Sequence, residues 1–298
     1  MKSDSVLIVG SIAIDTIEIG NERYEYLLGG STTYATIAAG KYSAVNVVGI
    51  IGSDFPQMGH DIYKKYAANL TDLIVKEGKT FSWGGRYHDN FDDRDTLFTE
   101  LGVFGGFNPQ LSAINKIQQY VFLANIHPSL QNSVIDQCQA NPTIIIDTMN
   151  LWIDTTHSEL LTVLSKSDIL LINESEAEML TECSNLDDAA KTLIGLGPPI
   201  VVIKQGSKGA ALYNNMDEKI AIGVYPIDKI IDPTGAGDTF GGGFISALAQ
   251  GKTYQEALVL GSALASICVE GVGIDALEKA KISDIENRQN YLRDKVTT

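Results

Sequence analysis

The sequence predicts an α/β fold built on a doubly wound, mostly parallel sheet. Three observations carry this. Short β-branched runs recur at 6–10, 45–50, 120–125, 143–147, 169–173 and 200–204. They are continuously apolar, as strands covered on both faces are. Helical patterns lie between them, at 31–41, 129–140, 158–167 and 187–196, and such alternation joins parallel strands through crossover helices.

Two segments break the alternation. Residues 12–19 and 23–28 flank Gly20-Asn21, a tight-turn signal. Residues 81–87 and 96–104 flank the polar stretch Asn90-Phe91-Asp92-Asp93. Both pairs follow core strands. A small antiparallel sheet standing off the main one, a β lid over approximately 11–29 and 80–104, is the expected use; surface decoration is the other. The C-terminal third is more helical. Thr253-Tyr254-Gln255-Glu256 has capping-box spacing and opens a helix to about Val269. Ser283-Asp284-Ile285-Glu286 opens the last helix the same way. With no repeat, low-complexity tract or linker in view, a single domain over 1–298 is expected.

Composition bounds the function. The chain has 298 residues, 44% hydrophobic and 20% charged, which is enough to bury a core unaided. Its net charge of −15 repels nucleic acid and anionic membrane. An anionic ligand must therefore be held by local devices such as a helix N-terminus, a metal or single basic residues. Cys138, Cys183 and Cys268 are far apart, which fits a reducing compartment rather than a disulfide framework. His60, His88, His127 and His157 lack metal-ligand spacing. The first apolar run, 6–9, is too short for a leader or a membrane span, so a soluble, cytoplasmic protein is expected.

The most informative stretch is Asp232-Pro233-Thr234-Gly235-Ala236-Gly237-Asp238-Thr239-Phe240. Phe240, Phe244 and Leu248 then recur at helical spacing, so a glycine turn runs straight into a helix N-terminus. Free amides and the helix dipole make such a place an anion site. Gly241, Gly242 and Gly243 continue inside the helix, where each costs about 0.8–1.0 kcal/mol against Ala. A phosphate, another ligand or another helix must come close there. Asp238 is either a dipole partner in the first turn or a base for an attacking hydroxyl.

This stretch resembles the second signature of the PfkB/ribokinase family of carbohydrate and nucleoside kinases, D-[TP]-x-G-A-G-D. The resemblance extends over essentially the whole chain. It implies a ribokinase-like three-layer αβα domain with a β lid, and ATP with Mg²⁺. By resemblance, Asp238 is the catalytic base, and Gly235, Ala236 and Gly237 form the anion hole. Asp232 and Thr234 match positions that in some members bind an activating monovalent cation, which would be K⁺.

Other motifs agree. Asn173-Glu174-Ser175-Glu176 reads as a capping-box variant, and it also matches the family's N-x-x-E, whose Glu places Mg²⁺ through water. Lys204-Gln205-Gly206-Ser207-Lys208-Gly209 is a strand end and turn that resembles the phosphate-lining stretch, which implicates Lys204 and Gly206, with Gly209 shaping the turn. The 261–273 stretch resembles the adenine side and points to Ala263 and Gly273. Asp15, just past the first strand, matches the aspartate that accepts substrate hydroxyls. Gly29-Gly30-Ser31-Thr32-Thr33-Tyr34-Ala35 matches the first signature, G-G-x-x-x-N-x-A, with Tyr34 where Asn is usual. That exchange leaves room for a cyclic polyol, another sugar or a nucleoside. Gly49, Gly52 and Asp54 match a largely structural G-x-x-G-x-D element. Asn125, His127, Asp147, Asn150, Trp152 and Trp83 could face a cleft or serve packing, and Phe107 could stack on a base.

The expected activity is ATP-dependent phosphorylation of a hydroxyl on a small sugar or polyol. A nucleoside kinase on the same fold and a non-catalytic nucleotide-binding regulator are the alternatives. A homodimer through the lid is the expected partner arrangement, if any. A dinucleotide-binding dehydrogenase is disfavoured, because Gly10-Ser11-Ile12-Ala13 lacks G-x-G-x-x-G.

Overall fold

The structure, a computed structural model, describes residues 4–88 and 94–298. The chain opens with β1 (Ser5–Val9), the hairpin β2 (Ala13–Ile19) and β3 (Glu22–Gly29), and α1 (Ser31–Ala39). Next come β4 (Ala44–Gly52), α2 (Gln57–Tyr66) and β5 (Asn69–Lys76). A second strand pair follows, β6 (Phe81–Tyr87) and β7 (Arg94–Glu100). The middle of the chain is β8 (Tyr120–Leu123), α3 (Pro128–Gln137), β9 (Thr143–Asp147), α4 (Asn150–Thr155) and α5 (His157–Leu164). It continues through β10 (Ile169–Asn173), α6 (Glu174–Thr181), α7 (Leu186–Gly195) and β11 (Ile200–Lys204). After β12 (Ala210–Asn214) and β13 (Lys219–Ile222) come α8 (Ala236–Ala249) and α9 (Tyr254–Cys268). The end is α10 (Asp275–Lys279), α11 (Ile282–Arg293) and β14 (Val296–Thr297).

The main sheet has ten strands in the order β14-β13-β12-β11-β10-β9-β8-β1-β4-β5. From β11 to β5 every pairing is parallel. The edge strands β12, β13 and β14 are antiparallel. Both faces are buried, which explains the unbroken apolar runs. In β1, Val6 and Ile8 pack into the layer containing α1, α2, α8, α9 and α11. Leu7 and Val9 face the layer containing α3, α5 and α7. The chain runs outward from β1 to β4 and β5, then returns to β8 on the other side of β1. The order therefore reverses between β1 and β8, and crevices at such reversals, outside the carboxyl ends of the strands, bind ligands.

The lid is a separate four-stranded sheet, β3-β2-β6-β7. It corrects the expectation in two ways. The outer pairs are antiparallel, but β2 and β6 pair in parallel, from Ala13 with Phe81 to Ile19 with Tyr87. The strand expected over 96–104 is β7, which ends at Glu100, and a 3₁₀ turn occupies Gly102–Gly106. The polar turn at 90–93 lies outside the described residues. The last helix also starts earlier than expected. Asp284 accepts the Lys281 N–H at 3.3 Å, so the helix begins at Ile282. At the start of α9 the Thr253 hydroxyl accepts the Glu256 N–H at 3.2 Å, as expected.

The three helical glycines serve packing. A Cβ on Gly241 would lie 2.3 Å from the Phe122 ring. One on Gly242 would lie 2.4 Å from the Ala35 carbonyl oxygen in α1. One on Gly243 would meet Leu264 of α9 at 2.8 Å and Gly261 at 3.1 Å. Helix α8 thus touches the sheet and two helices nearly backbone to backbone, and this fixes its N-terminus. Gly242→Ala, which meets rigid backbone, is expected to destabilise by about 1–3 kcal/mol despite better helix propensity. Urea unfolding measures it, and an unchanged midpoint would mean that α1 and α8 are not in this contact.

Candidate active site

The 232–238 turn crosses the carboxyl end of the sheet. Asp232 is fully buried (0% exposed) and organises it. Its Oδ1 accepts the Thr234 N–H at 2.9 Å, and its Oδ2 accepts the Gly273 N–H at 2.8 Å. Burial raises its pKa, while these bonds from Thr234 and Gly273 pull it down. Gly235 then takes φ +75°, a left-handed conformation in which glycine is the least strained residue. A Cβ there would also lie 2.3 Å from the Tyr34 ring. The Ala236 N–H bonds the Pro233 carbonyl at 3.2 Å, so the turn itself uses that amide. The amides of Gly237 and Asp238 remain in the open first turn of α8, where no intrahelical acceptor exists.

Lys204 ends β11 beside this turn. A Cβ on Gly237 would lie 3.1 Å from its Nζ, so glycine admits the lysine to the helix terminus. The ammonium reaches across β10 to Asp147, at the end of β9, with Nζ to Oδ distances of 2.9 and 3.1 Å. Burial disfavours the Lys204 charge, but Asp147 and Glu176 outweigh it, and its pKa is raised. Glu176 closes a capping box with Asn173: it receives the Asn173 N–H at 3.0 Å, and Asn173 Oδ1 accepts the Glu176 N–H at 2.8 Å. Burial, with some help from Asp147, pushes Glu176 up to about 7 against the pull of Lys204. Asp238 is only partly exposed. Burial and then Asp147 raise it to about 7, opposed by Lys204 and Arg94. Asp147, Glu176, Asp238 and Lys204 therefore share one electrostatic field. The donors offered there are oxygen atoms, which suit Mg²⁺ held mostly by water and phosphate.

Asp15 lies on the lid strand β2 and is 4% exposed. Burial raises it to about 8, Asp232 adds to this, and a bond from the Gly30 backbone opposes it. Its Oδ2 would lie 1.9 Å from a Cβ on Gly29, so the first glycine of Gly29-Gly30 exists to seat this carboxylate. Gly30, at φ +87°, lets the chain turn from β3 into α1. Trp83 pairs with Asp15 in the parallel β2–β6 register, so both side chains leave the same face of the lid. The benzenoid part of the indole lies where a Cβ on Gly85 would be, 2.1 Å from its nearest atom.

Several expected residues sit elsewhere. Tyr34 is 1% exposed, with its hydroxyl buried and without a hydrogen-bond partner among the described residues, and its ring lies under Gly235. It supports the turn from below instead of presenting its hydroxyl to the cleft. Ala263 is 0% exposed in the α9 core, so it offers no surface to adenine. Gly273, at φ +57°, gives its amide to Asp232 and lies near Leu27. Gly209 holds the turn against β13, where a Cβ would lie 1.9 Å from the Ile222 carbonyl oxygen, and Gly206 takes φ +55° in the same turn. Thr234, expected at a cation, donates its hydroxyl to Tyr87 of the lid at 3.0 Å. Asp54 binds the Thr80 amide and hydroxyl at 2.7 and 2.8 Å, a structural role. Trp152 donates to Asn125 Oδ1 at 2.8 Å with His127 against its ring, and Phe104 stacks between Phe81 and Phe107. The sequence did not single out Tyr87 or Arg94, nor Asp147 as the lysine's partner. Asp147 carried one signal, its place at a strand end.

The description "pfkB family carbohydrate kinase" matches residues 3–280. The chain belongs to the pfkB family of carbohydrate kinases. It is similar over most of its length to a cytidine kinase of Thermococcus kodakarensis: 28% identical, covering 86% of this chain and 92% of that one. Among solved structures it resembles the nucleoside kinase of Methanocaldococcus jannaschii, with TM-score 0.80 at 21% identity over 97% of this chain and 99% of that one. A putative ribokinase II from E. coli in complex with ATP and Mg²⁺ gives TM-score 0.81 at 20% identity, over 96% and 99%. The protein is thus a kinase with a ribokinase-like three-layer fold, and its structural neighbours include ATP and Mg²⁺ complexes. No helix among the described residues is long and apolar enough to cross a membrane.

The raised Asp15 pKa has a stability consequence. Below its ordinary value of 3.8 the carboxyl is protonated folded or unfolded. Between there and about 8 only the folded state holds the proton, so this contribution to stability is lost as pH rises. Asp15→Asn has no such loss. Its Tm relative to wild type is expected to gain on the order of a few degrees between acid and alkaline pH. Thermal melts without nucleotide across that range test this, and a gap that narrows with pH would overturn it.

Proposed function

We propose that this kinase transfers the γ-phosphoryl group of ATP to a hydroxyl of a small sugar or polyol, with Asp238 as general base. One observation carries the reading: a partly exposed carboxylate, raised to about 7, stands at an open helix N-terminus beside Lys204. A carboxylate beside an anion site repels phosphate unless it has a further task. A proton acceptor for the attacking hydroxyl belongs there.

The steps follow from the residues. Asp15 and the Gly29-Gly30 corner hold substrate hydroxyls under the lid. Lid closure excludes water, which would otherwise compete as acceptor. Asp238 takes the hydroxyl proton as the oxygen bonds to the γ-phosphorus. The bond from that phosphorus to the bridging oxygen breaks, and ADP leaves. The Gly235, Gly237 and Asp238 amides and Lys204 stabilise charge on the transferring group. Glu176 and Asp147 would hold Mg²⁺ through water, and the bound ion would shield phosphate charge.

A nucleoside is the second reading. The indole of Trp83, in register with Asp15, gives a flat apolar surface beside the hydroxyl-binding carboxylate. The match to a cytidine kinase over most of both chains supports it. ADP release with ATP and Mg²⁺ across sugars, polyols and nucleosides decides between them. Turnover is expected with one class, and Asp238→Asn is expected to lower kcat by about 10²–10⁴-fold with ATP still bound. With wild-type turnover in hand, kcat/KM should fall as pH drops through about 7, where Asp238 gains its proton. An Asp238→Asn variant that turns over like wild type would end the general-base assignment.

A further inference from the structure

We propose that Gln131, near the start of α3, is a positioning residue. Its carboxamide sets the gap between the ends of β8 and β9, and so sets the acceptor hydroxyl against the γ-phosphoryl group. The proposal rests on the phosphoryl-transfer reading above.

The strands part where the site opens. The β8–β9 ladder ends at Leu123 with Ile146. Asp147, one residue further, pairs with Leu171 of β10. Gln131 enters the gap and is 1% exposed. Its Nε2 donates to the Leu123 and Ala124 carbonyls, each at 3.2 Å, and to the Asp147 carbonyl at 3.0 Å. Two N–H bonds thus serve three acceptors, with one bond shared. Because all three neighbours are carbonyl oxygens, only the NH₂ end of the amide can face them. An apolar residue of the same shape would leave them unmet by this donor.

The local sequence aims the side chain. Pro128 begins α3, and His127 Nδ1 accepts the Ser129 N–H at 3.2 Å, which fixes the first turn. Long helical side chains lean toward their own N-terminus. Gln131, three residues after Pro128, therefore points back at the strand ends.

Each side of the gap carries a different half of the reaction. On the β9 side, Asp147 holds Lys204 at 2.9 and 3.1 Å, beside the phosphate-binding turn. On the β8 side, the Asn125 carbonyl accepts the Ser31 hydroxyl at 3.2 Å, and Ser31 directly follows the Gly29-Gly30 corner. The Trp152 indole, on α4 after β9, gives Asn125 Oδ1 a further tie across the gap at 2.8 Å. That tie ends on side chains, whereas Gln131 grips the backbone of both strands.

Transfer requires the attacking oxygen about 3–3.5 Å from phosphorus and in line with the leaving group. A small change in the gap therefore appears in kcat before it appears in affinity. Asp147 is held in addition by the β10 ladder and by Lys204, so losing the amide moves the acceptor side. Water needs no acceptor corner, and its attack suffers less.

The test measures acceptor phosphorylation beside ATP hydrolysis without acceptor. Gln131→Met keeps the length of the side chain and removes its donors. Its kcat for phosphorylation is expected to fall about 10–10²-fold, with both KM values within about twofold of wild type. Calorimetric titration is expected to show ATP bound at the wild-type stoichiometry. Hydrolysis is expected to fall less, so that the ratio of ATP hydrolysed to acceptor phosphorylated rises about tenfold. A residue that only stabilises the fold would lower both rates together, and that result overturns the proposal. So does wild-type kcat in Gln131→Met. Gln131→Asn keeps the amide one methylene short. It is expected to raise the same ratio, and it carries the test if the Met variant does not fold. If wild type phosphorylates an acceptor and Asp238→Asn does not, an unraised ratio in both Gln131 variants ends this proposal alone. If wild type phosphorylates no acceptor and hydrolyses no ATP, the phosphoryl-transfer reading falls with it.

Discussion

A carboxylate with no solvent exposure, Asp232, holds the 232–238 turn in shape. Burying such a group is costly unless hydrogen bonds meet it. Two backbone amides do so, one from Thr234 within the turn and one from Gly273 beyond α9. The Ile231 amide bonds Val269 O at 2.7 Å and pins the same loop to the end of α9. With both ends fixed, Gly235 adopts its left-handed conformation over the Tyr34 ring, and α8 begins at Ala236. The position of Asp238 follows. The buried tyrosine and the glycine-lined faces of α8 support one geometric result, a helix terminus aimed at the sheet's crevice.

Lys204 is the second constraint. It stands among carboxylates and offsets enough of their repulsion for the cluster to persist. Asp238 and Glu176 are both raised toward neutrality by burial, and Lys204, with a smaller pull from Arg94, restrains the rise. A base poised near neutral pH, as the proposed mechanism requires, follows from this balance, since a freely solvated aspartate would be a weaker proton acceptor.

The parallel core was legible because strands buried on both faces carry an unbroken apolar signal. The 232–238 turn was legible because its shape is written in backbone: glycines where a Cβ cannot fit, next to an aspartate. The lid was legible only as local pairs. The β2–β6 pairing joins segments distant in sequence, and nothing local encodes it. Gly241, Gly242 and Gly243 announced a close approach without saying of what, and the answer was Phe122, α1 and α9. Ala263 and Tyr34 lay within or beside family-like motifs, yet burial turns both inward. Tyr87 and Arg94 escaped notice because their meaning is tertiary: each matters through Thr234 or Trp83.

The parallel pairing inside the lid has a mechanical consequence. Strand β2 leaves directly from the central strand β1, whereas β6 follows β5 at the sheet's far edge. The small sheet is thus tethered at two separated points of one rigid platform. Asp15 sits on its first strand. The carboxylate proposed to hold the acceptor is therefore part of the door and not of the wall. A molecule too small to draw Asp15 inward would leave the door ajar. On the proposed reading, acceptor selection and closure become a single event, with discrimination exercised by how far the grip pulls.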